Sequence, residues 1–253
     1  MAIERDDAIV LGRIRFGETS LIATLFTRRR GPVKVIAKGA RKGRSRFAGV
    51  LEPSNRIHAV YYRKENRDLY LLSQADVVRS FGGLRESLLR LAYGYAIIGT
   101  LAGLKREETP AGRLFDLAVD AFEAVETAET WGLEPALWGF LLSALADAGY
   151  RPELERCLRC GKSSPMEKGA RFDPRDGGVL CPAHGEGGLL LSAGALDALR
   201  RLSKGGAPAA PLTPRETAEG REGLRRFFVE HGLGRAPFRS LDLLRTDGGR
   251  RRP

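Results

Sequence analysis

The sequence predicts an α+β chain of several domains: an N-terminal five-stranded barrel of the OB-fold kind, then a helical domain into which a metal-binding hairpin is inserted. Three observations carry this. Short runs of alternating apolar residues recur at close spacing through residue 80, the pattern of half-buried strands. From Leu84 to Leu145 the apolar spacing changes to that of amphipathic helices. Cys157, Cys160, Cys181 and His184 then form Cys-x2-Cys-x20-Cys-x2-His, two chelating pairs separated by a hairpin.

The expected strands are 8–16, 20–27, 32–38, 55–63 and 68–75, which make residues 1–80 the barrel domain. Gly17-Glu18-Thr19, the basic turn Arg28-Arg29-Arg30-Gly31 and the polar run 64–67 connect them. In the second strand Leu21, Ala23 and Leu25 share one face, and Ile22 and Phe26 the other. Helical spacing follows over 84–105, through Leu84, Leu88, Leu91, Tyr95, Ile98 and Leu101. Thr109 is the expected N-cap and Pro110 the first residue of a second helix running to Val125. Pro135 opens a third, which stops at Gly149. Segments 81–156 and 185–245 form the helical domain, and 157–184 is the inserted metal hairpin. Ser192 caps a helix over 195–202, the Gly/Pro/Ala-rich run 204–214 is a loop, and a helix over 216–230 ends at His231-Gly232 with His231 as its cap. Residues 237–244 are a last packed segment, and the arginine-rich end, 246–253, is an unstructured basic tail beginning near Arg245.

Charge says where to look for function. The 253 residues carry a net charge of +11, which favours a polyanionic partner. The charge is unevenly placed: residues 1–80 hold 17 Lys/Arg against 8 Asp/Glu, whereas 81–156 hold 7 against 12. The acidic helices read as a protein-docking body rather than a second nucleic-acid surface. From Arg28 to Arg46, 19 residues contain nine basic side chains and no acid. Such a single-sign field, alternating with Val33, Val35 and Ala37 and loosened by glycines, suits a strand that leads into a phosphate-gripping loop. The candidate cations are Arg13, Arg15, Arg28, Arg29, Arg30, Lys34, Lys38, Arg41, Lys42, Arg44 and Arg46. Tyr61, Tyr62, Tyr70 and Phe47 are candidate rings for base stacking, and His58 reads as a structural or surface residue.

The four candidate metal ligands use all three cysteines and one of three histidines. A tetrahedral, closed Cys3His set suits structural Zn2+; a catalytic site would keep a position open and place a carboxylate beside a ligand, as hydrolases and deaminases do. The odd cysteine count and the Cys-x-x-Cys argue for a metal in a reducing compartment over a disulfide framework. Met1 is followed by Glu4, Arg5, Asp6 and Asp7 without a secretory pattern, and no apolar run approaches the roughly 20 residues of a membrane span. A cytoplasmic, nucleoid-associated protein is expected.

Several ordered fragments resemble the RecO family of bacterial DNA repair and recombination mediators. They are Val10-Leu11-Gly12-Arg13 with Gly17-Glu18, Leu25-Phe26-Thr27, Lys38-Gly39-Ala40-Arg41 with Ser45-Arg46, and Leu51-Glu52-Pro53. The passage from Gly149-Tyr150 into the Cys-x-x-Cys, and Arg239-Ser240-Leu241, continue the match. The resemblance implies an OB-fold, a central helical domain and a zinc-ribbon-like insertion. It further implies binding of ssDNA and dsDNA, annealing of complementary strands and, with RecR, loading of RecA onto ssDNA coated by single-strand-binding protein. It carries a DNA-binding role to Arg13, Lys38, Arg41 and Arg46; the other cations rest on charge alone. Four cysteines are usual in family members with a complete metal site, and here His184 stands as the fourth ligand.

A non-enzymatic DNA-binding mediator is therefore the expected function. A zinc-dependent nuclease or deaminase would need a three-ligand metal and a neighbouring acid–base carboxylate, which the sequence does not offer. An RNA- or ribosome-associated OB-fold and zinc-ribbon protein shares the same physical features, and only the resemblance separates it.

Overall fold

The computed structural model describes residues 2–247 apart from 65–66, 105–108, 164–168 and 186. The chain divides into two compact units, Met1–Glu126 and Thr127–Pro253.

In the first unit, β1 (Ala2–Phe16), β2 (Ser20–Thr27), β3 (Gly31–Ala37), β4 (Arg56–Arg63) and β5 (Leu69–Arg79) close into a barrel in the order β1-β2-β3-β5-β4. All pairs are antiparallel except β3 with β5. β1 starts six residues earlier than its apolar pattern suggests, because Ala2–Asp7 pair with β4 although they are largely polar. Register shifts at Gly12, between the part of β1 that pairs with β4 and the arm that pairs only with β2. The core is the inward set Val10, Leu21, Ala23, Leu25, Val33, Val35, Ile57, Ala59, Tyr61, Tyr70 and Leu72. Phe47 and Leu51, from the long connection between β3 and β4, drop into the same core and anchor that loop. The Asn55 amide donates to the Gly49 and Val50 carbonyls at 2.9 and 3.1 Å, fixing its return.

Two helices complete this unit. A 3-10 turn at Gly82–Arg85 precedes α1 (Leu88–Leu104). α1 begins later than its apolar stripe because Ser87 caps it, accepting the Arg90 N–H at 3.1 Å. The expected last residue, Lys105, lies outside the described residues. α2 runs Gly112–Thr127, not from Thr109-Pro110. The Ala111 N–H is held by the Arg28 carbonyl at 3.2 Å, and the Ala111 carbonyl accepts the first helical bond, from Phe115, so Ala111 takes the capping place.

In the second unit, α3 (Leu133–Asp147) starts two residues before Pro135. Proline then sits in the first turn, where its missing N–H costs nothing. β6 (Ala170–Asp173), β7 (Gly178–Leu180) and β8 (Leu189–Leu191) form a small sheet in the order β7-β6-β8. Gly169 enters β6 at φ +88°, and a Cβ there would lie 2.2 Å from the Leu191 carbonyl oxygen, so only glycine fits. α4 (Ala193–Ser203) begins at the Ser192 cap. α5 (Pro214–Glu230) has a reciprocal capping box between Thr213 and Glu216 with Pro214 in its first turn, and His231 caps its end. α6 spans Ala236–Asp247, so the end of the chain stays helical through Arg245, where an unstructured tail was expected; residues 248–253 lie outside the described residues. Trp138 is fully buried, and α5 passes so close that a Cβ on Gly220 would fall 2.1 Å from its ring. Arg221 and the Trp138 indole N–H both donate to the buried Glu134 carboxylate, at 2.5–2.9 Å. Among the described residues no helix is long and apolar enough to cross a membrane.

Candidate nucleic-acid interface and metal centre

The structure sorts the candidate cations by what already holds them. Arg13 pairs with Glu52 at 2.6 Å, and Arg30 with Glu4 at 2.7 Å. Arg28 makes a bidentate pair with Asp116, at 2.6 and 2.8 Å, and its guanidinium lies over the Phe115 ring. Arg56, the first residue of β4, paired with Asp7 at 2.6 Å, lies over the same ring, so the β2–β3 turn and the start of β4 each contribute one cation to the same aromatic of α2. These charges are largely balanced where they stand. The Arg29 N–H donates to Asp6, whose carboxyl burial pushes above its usual range; the Arg29 side chain itself is exposed.

Arg15, Lys34, Lys38, Lys42, Arg44 and Arg46 are exposed and have no carboxylate partner among the described residues. Arg41 donates to the carbonyls of Gly17 and Glu18, at 3.3 and 2.9 Å, and its N–H to Thr19. It therefore lays the basic loop onto the β1–β2 turn without spending its charge on an acid. The Arg46 guanidinium rests 5.0 Å from the centre of the Phe47 ring, whose burial sets the height of the loop over the barrel. The β1–β2 turn, the end of β3 and the loop to β4 thus gather cations from distant parts of the sequence onto one end of the barrel.

The ring assignments need correction. Tyr61, Tyr70 and Phe47 are at most 4% exposed, and Tyr61 stacks on Tyr70 inside the barrel at 5.7 Å, so these rings serve the core and offer no face to a base. Only Tyr62 remains partly accessible. The misreading arises because Tyr61 and Tyr62 are adjacent in one strand and must point to opposite faces; sequence alone does not say which is outward. The exposed ring that sequence reasoning missed is Phe16, half exposed at the end of β1. His58 lies on the surface, 3.4 Å from Asp7.

In the second unit the four expected ligands converge. The donor atoms of Cys157, Cys160, Cys181 and His184 all lie within 4.8 Å of one another. His184 Nδ1 is 3.1 Å from the Cys181 sulfur and 3.8 Å from that of Cys157. Each pair closes a tight knuckle: the Gly161 N–H donates to the Cys157 carbonyl, and the His184 N–H to that of Cys181. The Cys157 thiol is lowered to about 6, by backbone hydrogen bonding from Cys181 first, against the opposing effect of burial, with Cys160 and Arg159 adding to it; burial pushes the Cys181 thiol up. Three soft sulfurs and one imidazole at tetrahedral-edge separations fit a metal ion with ligands on every side. β6 and β7 span the gap between the knuckles, which brings two pairs 20 residues apart to one point.

Comparison with known proteins places both units. The family model described as Recombination protein O N terminal matches residues 1–81, and that described as Recombination protein O C terminal matches residues 85–242. A protein named DNA repair protein RecO from Anaeromyxobacter sp. (strain K) is 40% identical over 243 residues, covering 92% of this chain and 94% of its own length. One of the same name from Rubrobacter xylanophilus is 40% identical over 245 residues, covering 94% of each chain. Another from Myxococcus xanthus is 34% identical over 246 residues, covering 96% of this chain and 97% of its own. With both family models matched in order across a barrel and a helical, metal-competent unit, the chain belongs to the RecO family of DNA repair proteins.

Proposed function

We propose that this protein is a non-enzymatic DNA-repair mediator that binds ssDNA and dsDNA and anneals complementary strands. The observation that carries the reading is the set of exposed cations Arg15, Lys38, Lys42, Arg44 and Arg46 at one end of the barrel, with Lys34 midway along β3, without carboxylate partners among the described residues. Cations already paired with acids gain little by meeting phosphate. Unpaired ones release counterions from the polyanion and supply both affinity and salt dependence. Annealing asks nothing more of the protein than lowering the repulsion between two phosphate chains while their bases stay free to pair. Family membership supports partnership with RecR, with single-strand-binding protein and, through them, with RecA.

In this reading Zn2+ at Cys157, Cys160, Cys181 and His184 is structural. It would supply cross-linking of two knuckles in a unit whose sheet strands are only three or four residues long. Each residue of the set would take one ligand position.

The test is strand annealing with complementary oligonucleotides at two salt concentrations, with and without single-strand-binding protein. Faster annealing that fades with salt supports the reading; protein-dependent cleavage of DNA, or preference for RNA over ssDNA of equal length, overturns it.

A further inference from the structure

α1 lacks a polar face. Among its 17 residues Arg90 alone is charged, and its guanidinium turns toward α2, donating to the Val125 and Glu126 carbonyls at 2.8 and 2.5 Å. A helix that is apolar all round is ordinarily buried. Here Leu88 is 63% exposed and Tyr95 42%, and Leu91 between them is half-buried; their spacing puts the three on one face. Leu91 and Tyr95, with Ile98, also form one wall of a cleft of about 270 Å³. Pro53 and Ser54, from the connection between β3 and β4, form the other wall, and the exposed Arg85 lines it as well. The whole cleft lies within the first unit.

We propose that this cleft docks an acidic segment of a protein partner: an aromatic side chain enters it, and a neighbouring carboxylate meets Arg85. Charge selects that occupant. Arg85 Nη2 donates to the Pro53 carbonyl at 3.0 Å and to Asn55 Oδ1 at 3.2 Å, and no carboxylate pairs with Arg85 among the described residues. The guanidinium is held in place with its charge unbalanced, which favours an incoming carboxylate. The backbone beside it is strained to match. Ser54 has φ +71°, the one positive value at a residue other than glycine among the described residues, and its N–H donates to the Val10 carbonyl at 2.9 Å. The acid in the lining, Glu52, is already neutralised by Arg13 at 2.6 Å. A second copy of the chain docking through its own α1 would bring Arg85 no acid, since Leu88–Leu104 contains none. A phosphate chain would find a single unbalanced cation in the lining, too few for the many contacts on which nucleic-acid affinity depends. Because the apolar face continues from the cleft to Leu88, the contact is longer than one side chain and suits a peptide.

The test is fluorescence anisotropy of the full chain with three short labelled peptides: one with a phenylalanine flanked by aspartates, the same peptide with asparagine for aspartate, and the same with alanine for phenylalanine. The unmodified protein should bind the first about five-fold or more tightly than either control. Tyr95→Ala should erase the preference for phenylalanine. Arg85→Gln should erase the preference for aspartate and keep that for phenylalanine. Each preference is a ratio measured on one protein, so a variant that folds poorly loses signal without losing the ratio. Saturating oligothymidine should leave peptide binding within about two-fold. Equal binding of all three peptides by the unmodified protein overturns the proposal, as does survival of both preferences in both variants. So does displacement of the peptide by oligothymidine, which would make the cleft part of the nucleic-acid surface. A dimer in sedimentation that Tyr95→Ala dissolves would make the occupant a second copy and overturn it too. The inference does not rest on the DNA-binding reading, which the annealing assay tests separately.

Discussion

Two triple substitutions that remove the same charge should have opposite consequences. Set one is Arg13→Ala, Arg28→Ala and Arg30→Ala; set two is Lys38→Ala, Lys42→Ala and Arg44→Ala. Each lowers the net charge by three, so the overall field of the molecule falls equally. In set two every lost cation was exposed and unpaired among the described residues. If each meets one phosphate, the slope of log affinity against log salt on a single strand falls by about 0.7 per contact, or about 2 for the set. Thermal stability should not move. Set one removes the partners of Glu52, Asp116 and Glu4. With side chains between 17% and 51% exposed, solvent screens these pairs, and each is worth about 0–1 kcal/mol. Loss of Arg28 from the Phe115 ring adds about 0.5–1 kcal/mol. Set one should therefore lower Tm while changing the salt slope by less than half as much. Anisotropy titrations at four salt concentrations and a thermal melt measure both quantities. If set one flattens the slope as much as set two, or set two unfolds the barrel, sorting cations by their partners is the wrong way to find the interface.

In the second unit, Gly220→Ala drives a methyl group into the Trp138 ring and should cost about 1–3 kcal/mol, read from a chemical melt with tryptophan fluorescence. Glu134→Ala leaves Arg221 without its buried partner and should cost about 3–5 kcal/mol, whereas Glu134→Leu with Arg221→Met should recover much of that; a double-mutant cycle separates the two. Metal analysis should find one zinc per chain, lost in Cys157→Ser, and a chelator should lower the melting temperature of the intact protein. Burial opposes ionisation of Asp7, but hydrogen bonds from Arg56 and His58 outweigh it and hold its carboxyl below the usual value of 3.8. The Asp7 contribution is thus complete above that value and is lost as pH falls through the lowered one, so the Tm gap between the unmodified protein and Asp7→Asn should narrow only on that acid limb.

Much of this was legible from the chain alone. Strands β1 to β5 follow from alternation and turn residues, and the Cys3His cluster follows from spacing, since two knuckles can meet only if the hairpin between them folds back. What escaped depends on long-range contacts. Ala111 begins α2 because a carbonyl 83 residues earlier in the sequence, that of Arg28, takes its N–H; no local rule finds that. Tyr61 and Tyr62 are indistinguishable by composition, and barrel closure alone decides which is buried. The basic run was visible as charge, but Glu4 and Asp116, which neutralise Arg30 and Arg28 within it, lie far from it in the sequence.

The clasp between the β2–β3 turn and α2 bears on how the protein can be dissected. Arg28 and Arg56 both lie over Phe115, Phe81 stacks on Phe122 at 5.2 Å, and Glu126 accepts the Gly83 N–H. Cutting after residue 80, where barrel sequence gives way to helix, would strip Arg28 of Asp116 and lay bare the surface these rings cover. Such a fragment would cling to any polyanion through an arginine that the whole molecule keeps occupied, and would overstate its grip on DNA. A shortened protein meant to report the barrel's own behaviour has to retain α2.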